Sequence, residues 1–173
     1  MIILILNDGF EEVEALTPLD ILRREGYDVR SVGLVGKVVV GAHKIPVICD
    51  MTADEVKADD VTAVILPGGM PGTTGLDGSA FVTDILRAVY EKGGRLAAIC
   101  AAPSVLGHRG YLQGKEAVCF PGFEKHLTGA VLSERPVVTD GRITTAKDVY
   151  HAMDFAKELA RVLKEDERAG ADK

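Results

Sequence analysis

The residue whose setting most clearly allows chemistry is Cys100, in the stretch GRLAAICAAPSVLG. A strand-like run, RLAAI, stops at the cysteine, and a proline-started helical pattern, PSVLG, follows almost at once. Small residues, Ala98 and Ala102, stand two before and two after it. A sharp strand-to-helix corner forces its central residue into strained backbone and tolerates little bulk at those flanking positions. A sulfur held at the start of a helix is expected below the ordinary thiol pKa of about 8.5. Backbone N–H groups left free at the corner can bind an oxyanion. The competing reading is a buried structural cysteine.

Two further stretches bear on that choice. In LPGGMPGTTG, Gly68 and Gly69 end an apolar run, where glycine lets backbone approach a ligand closely. Gly69 could add an amide to the same anion pocket. Neither G-x-x-x-x-G-K-[ST] nor G-x-G-x-x-G is present, so a nucleotide site is not expected. In GFEEVEA, three carboxylates follow the first apolar run. Glu11 and Glu14 share a helical face, and Glu12 points elsewhere, as a solvated partner of the helix dipole. A carboxyl facing inward near a thiol would have its pKa raised and could donate a proton. Among the four histidines, His151 is the best candidate for an auxiliary base. His108 reads as a helix-end residue, and His43 and His126 as surface turns. Cys49, Cys100 and Cys119 have no metal-like spacing, so neither a disulfide framework nor a metal site is expected.

The elements that must position these residues alternate. MIILIL, YDVRSVGLV, VTAVILPGG and RLAAI read as strands, with AVCF, PVVTD and RITTA as shorter ones. Helices are expected over EEVEALTPLDILRREG, with a kink or restart at Pro18, over SAFVTDILRAVYEKGG from Ser79, over APSVLGHRG and over DVYHAMDFAKELARVLKE. KVVVGAHKIPVICD suggests one or two short strands turning at Gly41, and TADEVKADD a short helix. Residues 165–173 read as a frayed tail. Fully apolar strands alternating with helices imply a mostly parallel sheet covered on both faces, with the ligand site beyond the strands' carboxyl ends. Asn7–Glu14, Pro67–Gly75 and Cys100 all fall at such ends.

The length of 173 residues suits one domain, 1–173. A formal charge of −6 argues against a nucleic-acid partner and against docking on an anionic membrane. The first apolar run is too short to span a bilayer, and free thiols fit a reducing compartment, so a cytoplasmic protein is expected.

Taken together, GFEEVEALTPLDILRREG, VILPGGMPG and AAICAAPSVL resemble the DJ-1/ThiJ/PfpI superfamily, and its DJ-1-like branch in particular, over nearly the whole chain. The resemblance implies a flavodoxin-like three-layer α/β sandwich that forms a homodimer and needs no cofactor. It implies Cys100 as the reactive, oxidisable cysteine and Glu14 as the acid touching its sulfur. Gly69 and Ala101 match the anion-pocket amides, with Gly68, Phe120 and Pro121 alongside. Arg24 and Lys44 match basic positions near the interface and pocket. Activities attributed to the family are glutathione-independent glyoxalase, deglycation, and protection against oxidative stress. The implied partner is a small aldehyde; the alternative is a redox-responsive protein whose Cys100 becomes a sulfinate. The sequence departs from the family pattern at three places. Ala101 stands where protease-like branches carry histidine, which argues against a peptidase. Phe120 stands before Pro121 where many DJ-1 proteins place histidine, and KDVYH replaces a Gly-Pro-Gly-Thr-like loop.

Overall fold

The computed structural model describes residues 1–171. The chain runs β1 (Ile2–Leu6), α1 (Glu12–Arg24), β2 (Val29–Gly33), β3 (Val38–Val40), β4 (Pro46–Ile48) and β5 (Met51–Thr52). It continues with β6 (Ala63–Leu66), α2 (Gly72–Asp77), α3 (Ala80–Glu91), β7 (Arg95–Ile99), α4 (Pro103–His108), β8 (Glu116–Ala117) and β9 (Val131–Leu132). It ends with β10 (Val137–Asp140), β11 (Ile143–Ala146) and α5 (Ala152–Ala171).

Seven strands form one sheet in the order β10-β11-β7-β6-β1-β2-β5. All neighbours are parallel except β10 with β11. Its five inner strands follow the order of a flavodoxin-like sheet, with the switch point between β1 and β6. β1 and β6 are buried along their whole length, as a strand covered on both faces must be. α3 and α4 cover one face with Val82, Leu86, Val105 and Leu106. α1 and α5 cover the other with Ala15, Leu22, Phe155 and Leu159.

The main helices and the expected strands are present except AVCF, of which only Ala117 lies in a strand, β8, and four further details differ. α1 runs through Pro18 without a restart; the proline sits one turn after Glu14, so only the Glu14 carbonyl loses an intrahelical donor. α2 was not expected: GTTGLD is glycine-rich, yet Gly72 packs where a Cβ would meet the Phe10 nitrogen at 2.7 Å. TADEVKADD forms two 3₁₀ turns, the first capped by Thr52 and Glu55. The tail is not frayed through its described part. α5 continues to Ala171, and Asp166 takes both Arg95 Nε and Nη2. Asp172 and Lys173 lie outside the described residues. No helix among the described residues is long and apolar enough to cross a membrane.

Candidate active site

The sheet brings the chemistry together at its carboxyl end. Leu66 pairs with Ala98 across β6 and β7, and Ala146 with Ile99 across β11 and β7. Cys100 leaves β7 with φ 65°, a left-handed backbone that costs a non-glycine residue strain. Its N–H donates to the Ala146 carbonyl at 2.9 Å, and its own carbonyl accepts from Phe120 N–H at 2.8 Å. The corner is therefore pinned on two sides, and the small flanking residues Ala98 and Ala102 are fully buried.

Glu14 reaches this corner from the first turns of α1. It is 1% exposed, and its Oε2 accepts from Gly68 N–H at 2.9 Å. Gly68 separates the Glu14 carboxyl from Cys100 at minimal bulk: a Cβ there would meet Glu14 Oε2 at 2.6 Å and Cys100 Cβ at 2.8 Å. Glu14 and the Cys100 thiol share a hydrogen bond, and the Ala101 and Gly69 amides are directed at the same sulfur. Gly69 has φ 91°, and a Cβ there would strike Glu11 N at 2.3 Å.

Burial raises the Glu14 carboxyl to about 7, helped by the negative charges of Glu11 and Asp148, while the Cys100 and Gly68 bonds pull it down. The Cys100 thiol shifts upward, the reverse of the expectation from its place at a helix start. Burial and the facing Glu14 carboxylate outweigh the two amides that would favour thiolate. The helical turn that should have lowered it begins only at Pro103 and is six residues long. Cys49 and Cys119 are buried and their thiols are also raised, Cys119 to about 12.

The other sequence candidates divide. Glu11 borders Gly69 and acts on Glu14, and Phe120 touches Cys100 through its backbone. Pro121 is exposed beside Phe120 and lines a neighbouring cavity of about 360 Å³ with Cys119 and Lys147. Arg24 is not brought to the corner within the chain. It lies at the far end of α1, about 15 Å along the axis from Glu14, paired with Asp20 at 2.7 Å. Lys44 is exposed at φ 67° in the turn after Gly41. His151 has Nδ1 2.7 Å from Asp148 Oδ1, and Asp148 in turn acts on Glu14.

Sequence reasoning missed two residues. Asp148 gave no local signal beyond its place in the substituted KDVYH loop. Glu12 was expected in solvent but is 4% exposed: its oxygens take His43 N–H at 2.7 Å and His43 Nδ1 at 2.8 Å. A Gly41 Cβ would collide with that carboxylate, which is why the turn closes over it. Glu11, Glu12 and His43 offer ligand atoms within 4.8 Å of one another, the one such three-residue group among the described residues. Glu12's bonds to His43 account for its burial without an ion. A larger cavity, about 820 Å³, opens at the opposite end of the sheet beside Tyr27, Lys92 and Arg95, away from Cys100.

Cys100 thus stands strained at the end of a parallel strand, with the Ala101 and Gly69 amides beside it and the buried Glu14 carboxyl facing it. The family model "DJ-1/PfpI family" matches residues 1–162. The chain belongs to the DJ-1/PfpI family. Within the family it is 34% identical to "Protein dj-1beta" of Drosophila melanogaster, over 93% of this chain and 88% of that one. It is 30% identical to "Deglycase PfpI" of Pyrococcus furiosus, over 94% of this chain and 99% of that one. Among solved structures, "Toxoplasma gondii DJ-1, oxidized" matches with a TM-score of 0.90 at 31% identity, covering 98% of this chain and 94% of that one.

Proposed function

We propose that this chain is a cysteine-dependent enzyme acting on small reactive carbonyls without glutathione, with Cys100 as nucleophile and Glu14 as the group that moves the proton. The observation that carries this reading is the Glu14 carboxyl set against the Cys100 sulfur, with its titration raised to about 7. A carboxyl there can be acid in one step and base in the next at neutral pH. The Ala101 and Gly69 amides favour the thiolate, which forms as the Glu14 carboxylate takes the thiol's proton.

In methylglyoxal or glyoxal, the sulfur adds to the aldehyde carbon. The carbonyl electron pair moves to oxygen, which takes the Glu14 proton and gives a hemithioacetal. Glu14 carboxylate then removes the proton on that carbon, and the neighbouring carbonyl carbon is protonated as an enediol collapses to a thioester. Water cleaves the thioester to lactate or glycolate and restores the thiol. His151, oriented by Asp148, is the proposed auxiliary base for that water. The "deglycase" name of a 30% identical relative supports carbonyl chemistry as a class. The homodimer belongs to the same reading: Val13, Val38, Ile45 and Ile48 are 49%, 56%, 50% and 77% exposed on α1 and the β3–β4 hairpin. Such apolar exposure fits burial against a second copy, bringing in Arg24 and Lys44.

The second reading, oxidation of Cys100 to a sulfinate without turnover, is favoured by the same two amides, which suit sulfinate oxygens. The test is lactate production from methylglyoxal by the purified chain without glutathione. Cys100→Ser should abolish it, and Glu14→Gln should lower it by ~10²–10⁴-fold. Absence of turnover in the unaltered protein, with clean sulfinate formation by mass after mild peroxide, would replace the enzyme reading with the redox one.

A further inference from the structure

We propose that His108 and His126 form a surface site for a late first-row divalent metal ion, copper(II) above all, with Asp77 orienting His108. The site lies on the α4 face of the sheet and uses none of the Cys100 group. His108 Nε2 stands 3.0 Å from His126 Nδ1, the rings meeting edge to face at 82°. His108 Nδ1 is held by Asp77 Oδ2 at 2.8 Å, and Asp77 is itself fixed by Arg109 at 2.6 Å. A carboxylate on the far nitrogen sets the tautomer that leaves Nε2 with its lone pair, the usual support behind a metal-ligating histidine. His126 has only to move its proton from Nδ1 to Nε2 to present a second lone pair.

The spacing fits a metal as well as it fits the hydrogen bond. With metal–nitrogen bonds of about 2.0–2.1 Å, nitrogens 3.0 Å apart subtend about 95° at the ion. That is a cis angle of the tetragonal geometry preferred by copper(II) and nickel(II), and it is tighter than the tetrahedral angle zinc prefers. Water completes the coordination, since the His108 side chain is 38% exposed.

The pairing is built into the backbone. Gly107 brings α4 directly onto the segment carrying His126: a Cβ there would strike the His126 carbonyl at 2.1 Å and Leu127 Cα at 2.9 Å. The two imidazoles thus come from separate elements held at a fixed distance, so little ordering is needed on binding. Affinity should follow copper > nickel and zinc.

The probe is Cu²⁺ added to protein whose accessible thiol has been blocked with iodoacetamide, followed by electron paramagnetic resonance and calorimetry. One ion per chain with two nitrogen ligands is expected. His108→Gln and His126→Gln should each weaken binding at least tenfold, and Asp77→Asn by ~10–100-fold with both nitrogens retained. His43→Gln and His151→Gln should bind as the unaltered chain does, and melting curves should confirm that each variant is folded. A spectrum with a single nitrogen ligand, or unchanged affinity in both His108→Gln and His126→Gln, overturns the proposal.

Discussion

At the scale of residues, the burial that raises the Glu14 carboxyl ties its titration to the stability of the fold. Glu14 titrates near 7 when folded, against 4.5 for an ordinary glutamate. Between those values the native chain keeps a proton that the unfolded chain has released. Its stabilising contribution is complete below about pH 4.5, and it is lost as pH rises through about 7, on the order of 3 kcal/mol in all. Urea unfolding at pH 5 and pH 7.5 should show this loss in the unaltered chain, and Glu14→Gln should lack it. Equal slopes in both proteins would move the titration to another group. Access favours Cys100 for alkylation, because Cys49 and Cys119 are 1% and 5% exposed. Limited iodoacetamide followed by peptide mapping should find Cys100 modified first. Cys100, Gly68 and Gly69 were legible in the sequence because their demands are local: a corner needs small neighbours, a close approach needs glycine; Glu14 and Ala101 came from the resemblance to the family. The direction of the thiol's shift was not, because it comes from burial and from a carboxylate on another element. Asp148 and the buried Glu12 escaped for the same reason, Asp148 acting on Glu14 of α1 and Glu12 taking its bonds from His43.

At the scale of elements, the turn at 41–45 depends on one side chain. Glu12 satisfies His43 twice and fills the space under Gly41. Glu12→Ala should therefore cost about 1–3 kcal/mol, and thermal melting reads it as a fall of roughly 3–10 °C. Glu12→Gln should cost less, since an amide can accept from His43 N–H and donate to a neutral Nδ1. A melting point for Glu12→Ala within 1 °C of the unaltered chain (about the assay's scatter) would show that the turn is held by other bonds. Unbroken apolar runs made β1, β6 and β7 readable, and Ser79, whose hydroxyl accepts from Val82 N–H, marked the start of α3. α2 could not be read, because Gly72 is selected by contact with the Gly9–Phe10 backbone and Gly75 by contact with the Asn7 side chain, not by helix propensity. The polar end of α5 looked unfolded for want of apolar spacing, whereas an ion pair to Arg95 holds it.

For the whole molecule, the apolar residues on α1 and the β3–β4 hairpin set the prediction. Light scattering at micromolar concentration should give twice 18.4 kDa, and Ile48→Asp should shift the protein toward a single copy. A monomer in the unaltered chain would remove Arg24 and Lys44 from any role at the pocket. The hydrogen bond from Cys100 to Ala146 also has a consequence in time. The carbonyl that fixes the corner belongs to the last strand of the sheet, and the helix that covers Glu14's side of the sheet comes later still. During synthesis the ribosome therefore releases the cysteine well before the partners that shape its surroundings. The nascent chain carries Cys100 without its pinned corner until β11 has been made and has joined the sheet.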